Sequence, residues 1–184
     1  MLRQNSDQNS VENQSLADIV NRAKKSSDFK EIKKHASGVQ ISILYFTTLI
    51  EHKTMERVFL PYINECEKQK DHAFDINQFK NNLPLEDVIR TQDAKEIEEK
   101  IHLGFVLITF ENTSEECLLV NVSNLSEGIR KTNETENEFG VTGPKLGFVE
   151  NLDTNILLLR SKLKSPLLTT EEFVLGTLSK TRVT

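Results

Sequence analysis

The residue types that most often carry catalytic or metal chemistry are few and scattered in this sequence. The four histidines show neither the i, i+4 spacing nor the nearby cysteine pairs of a zinc site. Cys66 and Cys117, the only cysteines, fall on apolar stripes, which favours buried structural thiols over nucleophiles. No serine lies in a Gly-x-Ser-x-Gly motif. The sequence therefore predicts no catalytic site, no metal site and no cofactor.

Anion binding is the next chemistry to weigh, because residues 140–145 (GVTGPK) lead into a predicted helix. Free backbone N–H groups at a helix N-terminus can hold an anion. The segment lacks the Gly-Lys-Ser/Thr sequence of a phosphate loop, so we favour a tight turn permitted by its glycines. A basic run within residues 22–34 could contact acidic lipid headgroups, but a solvated charged face is again the favoured interpretation.

Asn155 is the polar residue whose position is most informative. It follows Phe148 by seven residues and so lies near the apolar stripe of the predicted helix. A polar side chain there needs a hydrogen-bonding partner. We expect its amide to clamp the 140–144 turn or the strand beyond it, and contact with a ligand or a switching element is the alternative.

Composition excludes several classes of protein. The chain of 184 residues has 23 Lys and Arg against 28 Asp and Glu, and a net charge of −5 argues against nucleic-acid binding. No apolar run approaches the length of a membrane span, and the N-terminus lacks the apolar core of a secretory signal. Two cysteines are too few for a disulfide framework and fit a reducing compartment.

The elements that would position these residues follow from periodicity. Residues 1–15 are rich in Asn, Gln and Ser and are expected to form a disordered arm, with the folded domain spanning 16–184. A short helix follows the N-cap Ser15, and residues 28–35 fit either a helix turn or an edge strand. Alternation predicts a strand over 39–46, and helical spacing predicts a helix over 55–66 that Pro61 kinks or divides.

The second half of the chain continues this alternation of helices and strands. Asp93 and Glu96 begin a helix that ends at Gly104, and strands 105–110 and 117–122 form a hairpin. Residues 127–140 read as a mobile surface loop. We therefore expect an α/β (α+β) fold in which helices flank a mixed β-sheet.

The last predicted helix spans residues 144–164. Pro144 suits its first position, and Ser165 with Pro166 ends it after three basic residues. Its buried stripe is predicted to be Phe148, Leu152, Ile156, Leu159 and Leu163. Residues 172–179 return to strand composition, and a chain that reads as strand near its end suggests a second subdomain that is missing or truncated.

Two linked motifs resemble a known family. Residues 143–156 (GPKLGFVENLDTNI) followed by Arg160, and then residues 175–181 (LGTLSKT), are similar to segments of the N-terminal domain of the A subunit of GerA-type spore germinant receptors. The resemblance extends over residues 38–184. Leu146, Asp153 and Ser161 depart from the family's usual residues. The residues that carry the signature, expected to be structural or contact residues, are Gly143, Pro144, Gly147, Phe148, Glu150, Thr154, Asn155, Arg160, Ser179, Lys180 and Thr181.

The resemblance implies the soluble domain of a subunit of a spore inner-membrane complex, a domain that takes part in nutrient-triggered germination by ligand sensing or by contact between subunits. Its partners would be a transporter-like B subunit and a lipoprotein C subunit, with self-association possible. The trigger would be an amino acid or a sugar, for which we expect weak or no direct binding to this domain. Family A subunits continue into a second subdomain and then membrane helices, so the chain is expected to be a fragment or a truncated paralogue. A purely structural assembly module without a ligand is the alternative.

Overall fold

The computed structural model of the chain describes residues 15–36, 38–68, 74–111, 113–124 and 147–184. Residues 1–14 of the predicted arm, the predicted loop 127–140, and Gly143 with Pro144 lie outside the described residues. Within the described ranges, no helix combines the length and apolar character needed to cross a membrane.

The described elements alternate helices and strands, as the sequence predicts. In chain order they are α1 (Leu16–Ala23), β1 (Phe29–Ala36), β2 (Val39–Phe46), α2 (His52–Thr54), a π-helical segment (Met55–Phe59), α3 (Leu60–Lys68), α4 (Ile76–Asn82), β3 (Val88–Thr91), α5 (Ala94–Ile101), β4 (Phe105–Phe110), β5 (Thr113–Asn121), α6 (Leu152–Leu163), β6 (Phe173–Leu175) and β7 (Thr181–Val183).

Five of the strands form one sheet in the order β1-β2-β4-β5-β3. The predicted pairing of β4 with β5 is confirmed, with Val106 opposite Val120 and Ile108 opposite Leu118. The ambiguous residues 28–35 are resolved as the edge strand β1, which pairs along its whole length with β2. The prediction of an α+β fold is confirmed. The sheet was expected to be mixed, but its pairings among the described residues are all antiparallel.

Helices cover both faces of the sheet, so the protein has two apolar layers. Alternation along β2 sends Ile41 and Ile43 to one layer and Leu44 and Phe46 to the other. The first layer is closed by the segment from α2 to α4, through Met55, Phe59, Ile63, Ile76, Phe79 and Leu83. The second layer is closed by α1, α5 and α6, through Ile19, Ala23, Ile97, Ile101 and Leu157.

Local signals explain where the elements begin and end. Ser15 caps α1 through a reciprocal capping box with Asp18, and the side chain of Asp93 caps α5 by accepting from the backbone of Lys95. After α5 the chain turns sharply at Gly104, whose φ of +89° suits glycine. The break predicted near Pro61 is a π-helical segment that ends just before α3; because proline lacks an N–H, it cannot donate to the preceding turn.

The prediction of one helix over 144–164 is wrong in its start and in its buried stripe. Residues 147–151 are not helical, because Asn151 caps α6 by accepting from the backbone N–H of Thr154. Phe148, Leu159 and Leu163 are exposed, Leu152 is half-buried, and of the predicted stripe only Ile156 is buried. The side chains actually buried on α6 are Ile156, Leu157, Leu158 and Arg160.

The predicted strand over 172–179 is a hairpin rather than a single strand. Residues 173–175 and 181–183 pair in antiparallel register, and residues 176–180 form the turn between them. Both Gly176 and Lys180 have positive φ, so the turn bends at each of its ends. This hairpin is separate from the five-stranded sheet.

Candidate functional site

A buried polar cluster joins the C-terminal part of the chain to the main sheet. We use this name for Ser26, Asp28, Thr48, Arg160 and Thr170, whose side chains are all buried. Ser26 and Asp28 lie between α1 and β1, Thr48 lies just after β2, and Thr170 lies between α6 and β6. Residues more than 130 positions apart in the sequence therefore meet in one cluster.

Arg160 forms the centre of the polar cluster. Its Nε and Nη2 atoms donate to the two carboxylate oxygens of Asp28 at 2.8 and 2.6 Å, a bidentate geometry. Nη2 also donates to Ser26 Oγ at 2.7 Å, and Nη1 donates to the carbonyl oxygen of Leu168 at 3.1 Å. The guanidinium lies 4.2 Å from the ring centroid of Phe46, which adds a cation–π contact. All three guanidinium nitrogens are therefore engaged.

The remaining members of the buried polar cluster complete the hydrogen bonding of the Asp28 carboxylate and fix the segment after α6. Thr48 Oγ1 donates to Asp28 at 2.6 Å, and Thr170 Oγ1 donates to it at 3.0 Å. The backbone of Thr170 bonds in both directions, donating to Ser26 Oγ at 2.9 Å and accepting from the N–H of Ser27 at 2.8 Å. The cluster therefore holds the chain on both sides of residue 165 against the turn that precedes β1.

The electrostatics of the cluster favour a permanent ion pair. Burial alone raises the pKa of Asp28, but hydrogen bonds from Arg160 and Thr48 and the charge of Arg160 outweigh that effect and hold the pKa below its usual value. A carboxylate that is ionised, buried and hydrogen-bonded on both oxygens has no free lone pair directed at a substrate. The arrangement suits positioning rather than acid or base catalysis.

His102 lies beside this cluster. Its ring centroid is 5.0 Å from that of Phe46, and its Nδ1 lies 2.8 Å from the carbonyl oxygen of Glu98, so Nδ1 carries the proton. The buried Nε2 has no hydrogen-bond partner among the described residues. Burial lowers the pKa of His102, and the positive charge of Arg160 acts in the same direction. The ring is therefore held neutral.

The signature residues predicted from the sequence lie in three separate places. Gly143 and Pro144 are outside the described residues. Gly147, Phe148 and Glu150 lie in the non-helical segment before α6, where Phe148 is 71% exposed. The others divide between α6, with Thr154, Asn155 and Arg160, and the final hairpin, with Ser179, Lys180 and Thr181. The signature residues that the structure describes therefore do not form one site.

Asn155 has the clamping role expected of it, although on a different segment. Its Oδ1 accepts from the backbone N–H of Val149 at 2.8 Å, and its Nδ2 donates to the carbonyl oxygen of Val149 at 2.7 Å. The expected target was the 140–144 turn, which lies outside the described residues. The amide instead ties residues 147–151 to the first turn of α6. The segment next to the helix is the partner because α6 begins at Leu152, eight residues later than predicted.

A second feature is an exposed apolar surface confined to the C-terminal part of the chain. The large apolar side chains that are exposed among the described residues all lie between positions 148 and 183. We call them the apolar surface: Phe148, Leu159, Leu163, Leu167, Phe173, Val174, Leu175, Leu178 and Val183. Leu178, at the tip of the hairpin, is 97% exposed. Large apolar side chains that are exposed together are a common feature of surfaces that contact a partner.

A shallow cleft lies between α1 and the segment after α6. It has a volume of about 560 Å³ and is lined by Asp18, Asn21, Arg22, Lys25, Leu167 and Thr169. Two of its charged side chains have structural roles, because Asp18 accepts from the backbone N–H of Ser15 and Arg22 pairs with Glu98 at 3.0 Å. The basic side chains Arg22 and Lys25 that the sequence singled out therefore line a groove, while Lys24 pairs with Glu31.

Metal binding and thiol catalysis have little support in the described part of the chain. No three His, Cys, Asp or Glu side chains gather there in a way that could hold a metal ion. Both cysteines are buried, as the sequence predicts, and burial raises the pKa of Cys117 to about 12. Thiols of that kind are poor nucleophiles at neutral pH.

Sequence reasoning missed Asp28, Ser26, Thr48 and Thr170, and it singled out Arg160 only as a basic residue at the C-terminal end of a helix and as a family-signature residue. A signal for Arg160 existed, since it directly follows a run of four aliphatic residues on the same helix. No comparable signal marks Asp28 as its partner, because the two are separated by most of the chain.

Comparison with known proteins identifies the family to which this chain belongs. A family model described as "Bacillus/Clostridium GerA spore germination protein" matches residues 15–184. The spore germination protein GerQA of Bacillus cereus is 36% identical over 169 residues, which cover 92% of this chain and 32% of that protein. The spore germination protein KA of Bacillus subtilis (strain 168) is 29% identical over 178 residues, with coverage of 92% and 32%. The chain thus spans about a third of the length of these curated relatives.

The fold has a solved counterpart. The crystal structure of the N-terminal domain of the A subunit of the Bacillus megaterium spore germinant receptor GerK3 matches with a TM-score of 0.61 at 15% identity. The match covers 92% of this chain and 62% of the solved chain. The chain therefore belongs to the GerA spore germination protein family, with the fold of the N-terminal domain of a germinant receptor A subunit.

Proposed function

We propose that this domain takes part in nutrient-triggered spore germination through protein contacts that its C-terminal part makes with the rest of a germinant receptor. The observation that carries the proposal is the apolar surface between positions 148 and 183. An apolar area of this kind on an otherwise charged protein is stabilised when a partner covers it. The partners that fit are the transporter-like and lipoprotein subunits of the receptor and the remainder of the A subunit.

The buried polar cluster supports this role. It fixes the backbone of Thr170 and the carbonyl of Leu168 to the body of the domain, immediately before the hairpin. A contact surface that is positioned in advance loses less conformational entropy on binding. The cluster therefore presents the apolar surface in a defined orientation, at the inner membrane of the spore where such a receptor would act.

Nutrient sensing within the described part of the domain has weaker support. The cleft beside α1 is shallow, and two of its charged side chains are already engaged, Asp18 in the capping box with Ser15 and Arg22 in an ion pair with Glu98. An amino acid or sugar would compete with those contacts. We therefore expect the domain to act by contact and to bind the nutrient weakly or not at all.

The test changes the apolar surface and measures germination. Spores of the source strain would carry Leu163→Ser, Leu167→Ser and Leu178→Ser together in the chromosomal gene. The matched control carries Lys53→Ser and Glu65→Ser, two exposed residues on the opposite side of the sheet. Release of dipicolinic acid after addition of the nutrient is expected to fall at least tenfold in the first strain and to stay within twofold of wild type in the control.

Two further measurements make the result specific. Co-purification of the tagged subunit with the B and C subunits should fall in the same strain, and circular dichroism of the purified chain should show that the variant folds. A melting temperature of the purified chain that rises in a saturable way with one amino acid or sugar would favour direct sensing. Normal germination of the first strain with all three substitutions present would overturn the proposal.

A further inference from the structure

Exposed leucines and lysines lie together where α6 ends. Leu159 and Leu163 are one helical turn apart and so lie on the same side of α6, with exposed fractions of 37% and 57%. Leu167, four residues beyond Leu163, is 75% exposed. The lysines at positions 162 and 164 are also exposed. Apolar and basic side chains therefore alternate on one exposed part of the domain.

The chain after α6 turns back towards the helix, and this turn adjoins α1. Arg160 donates to the carbonyl oxygen of Leu168 at 3.1 Å, which holds residues 164–168 beside the last turn of α6. Leu167 and Lys25 line the same shallow cleft, so the exposed Lys25, just beyond the end of α1, lies near the leucines. We call these six residues the Leu–Lys patch: Leu159, Leu163, Leu167, Lys25, Lys162 and Lys164.

The Leu–Lys patch is positively charged. No Asp or Glu occurs between residues 154 and 170, and the three lysines form no ion pair within the described part of the chain. Acidic side chains border the patch: Asp18 is engaged in the capping box of α1, Glu172 pairs with Arg182, and Glu171 is exposed. The lysines thus give a local positive area to a chain whose net charge is −5.

The composition of the Leu–Lys patch favours a lipid surface over a protein as its partner. The centres of protein interfaces are enriched in aromatic residues, Met and Arg and depleted in Lys, and Leu is under-represented among the residues that dominate binding. The patch has the opposite composition. Exposed leucines accompanied by lysines are typical of segments that lie on an anionic membrane surface. Lysines at a helix C-terminus also complement the helix dipole, but that role does not explain the exposed leucines.

We infer that the Leu–Lys patch binds the surface of a membrane that contains anionic lipids. The leucines enter the boundary between headgroups and acyl chains, a depth of about 5–10 Å. The lysines attract the negative headgroups, and their long stems allow the ammonium groups to stay at headgroup level beside the leucines. The inference goes beyond the proposed function, because it assigns a lipid to one part of the apolar surface and leaves Phe148 and the final hairpin to protein contacts.

The first test uses tryptophan fluorescence, because the chain has no native tryptophan. Leu163→Trp reports on the Leu–Lys patch, and Lys53→Trp, on the opposite side of the sheet, is the control. Each purified 184-residue chain is mixed with vesicles of phosphatidylcholine and phosphatidylglycerol in equal amounts, or of phosphatidylcholine alone. With the mixed vesicles, the emission of Leu163→Trp is expected to shift to shorter wavelength and to be quenched by brominated acyl chains. The emission of Lys53→Trp is expected to stay unchanged.

Charge reversal tests the role of the lysines without a fluorescent reporter. Flotation with the mixed vesicles measures the affinity of the unsubstituted chain and of Lys162→Glu with Lys164→Glu, for which we expect binding about tenfold weaker or more. The matched control, Lys53→Glu with Lys68→Glu, makes the same change of net charge on the opposite side of the sheet and is expected to stay within twofold. Binding of the unsubstituted chain should also weaken as salt is added. Circular dichroism checks that each variant folds.

Several results would overturn the inference. They are an unchanged emission of Leu163→Trp, equal binding to the two kinds of vesicle, and equal effects of the two charge reversals. A shift that appears without vesicles when the B and C subunits are added would assign the Leu–Lys patch to a protein, and one that rises with the concentration of the chain alone would assign it to a second copy. The vesicle measurements do not depend on germination, so this inference and the proposed function fail separately.

Discussion

The body of the domain and its C-terminal segment are stabilised by different interactions. The five-stranded sheet of the body lies between two apolar layers that bury side chains such as Ile41, Phe59 and Leu107 completely. Residues 147–184 contribute few apolar contacts to those layers, with Leu157 as the α6 member of the second one. Ile156 and Leu158 are buried as well, and the buried polar cluster supplies the side-chain hydrogen bonds that attach the segment to the body. The comparison indicates that the body is stabilised by burial of a large apolar area, whereas the C-terminal segment combines a few buried apolar side chains with a small number of directional bonds.

The difference matters because the two kinds of interaction fail differently. Loss of one methyl group from an apolar layer has a graded effect on stability, whereas loss of one member of a buried ion pair leaves the other charge without compensation. The segment that carries the apolar surface is therefore the one whose position depends on single polar residues. A receptor domain that works by contact would be most sensitive there.

The largest effect is expected from Arg160→Met. The carboxylate of Asp28 would stay buried without its guanidinium partner, which should lower the free energy of unfolding by about 3–5 kcal/mol. Urea unfolding followed by circular dichroism measures the loss. Hydrogen exchange should rise first in residues 147–184 while the sheet stays protected, because the segment and the body would then open separately.

Two controls separate the charge effect from a packing effect. The double variant Asp28→Leu with Arg160→Met removes both charges and should be destabilised less than Arg160→Met alone. Arg182→Met breaks the exposed pair with Glu172 and should leave the unfolding midpoint within experimental error. If the double variant were as unstable as the sum of its two single variants, the ion pair would not be the unit that holds the segment.

A substitution within the body of the domain tests the other half of the comparison between the body and the C-terminal segment. A Cβ atom at Gly104 would lie 2.6 Å from the carbonyl oxygen of Leu49 and 2.8 Å from Ser123 Cβ, at a φ of +89°. Gly104→Ala should therefore destabilise the whole domain by at least about 2 kcal/mol. Exchange protection should fall together in the sheet and in residues 147–184, in contrast to Arg160→Met.

Gly38 provides the matched control for this substitution. It has a similar φ of +83°, but no described atom lies within 4 Å of a Cβ added there. Gly38→Ala should lose only the backbone preference of glycine, about 1 kcal/mol. Equal losses for the two alanine variants would show that the close approach at Gly104 relaxes freely.

A smaller effect is expected from Asn155→Ala, which tests the connection inside the C-terminal segment. The variant loses both hydrogen bonds to the backbone of Val149, which should lower the free energy of unfolding by about 1–2 kcal/mol. Exchange of the Val149 amide hydrogen should accelerate more than that of the sheet. Asn155→Asp keeps the acceptor and lacks the donor, so it should give an intermediate result. Unchanged exchange at Val149 would contradict the clamping role.

Local features of the fold were predictable from the sequence, and distant pairings were not. The cap at Ser15, the alternation of β2 and the hairpin of β4 and β5 depend on residues close together in the chain, where periodicity and capping chemistry act directly. The start of α6 was mispredicted because Pro144 and Asn151 are both good N-terminal signals, and periodicity alone does not choose between them.

The candidate site shows the same limit. The polar character of Asn155 beside an apolar stripe marked it as a residue that needs a partner, and the partner it has, Val149, lies only six residues away. The buried polar cluster depends on Arg160 meeting Asp28 across 132 residues, a contact set by how the helices pack on the sheet. A single sequence contains no local signal for that encounter. The exposure of Leu159 and Leu163 was missed for a related reason, since α6 turns Leu157 and Arg160 to the body rather than Leu159 and Leu163.

The smallest effect is expected from a change of pH. It tests whether protonation of His102, which lies beside the buried polar cluster, is linked to folding. Burial lowers the pKa of His102 in the folded protein, so the unfolded chain binds the proton first as pH falls. The contribution of the neutral ring is therefore complete above the unfolded pKa of about 6.5 and declines as pH falls towards the lower folded pKa. Asp28, whose pKa lies below its usual value, stays ionised through this window.

The free energy of unfolding should therefore decrease between pH 7 and pH 5. The variant His102→Phe, which keeps a ring against Phe46, should show a smaller decrease. If the free energy of unfolding depended on pH in the same way in both proteins, protonation of His102 would not be linked to folding. The charge of Arg160 would then have no effect on stability through His102.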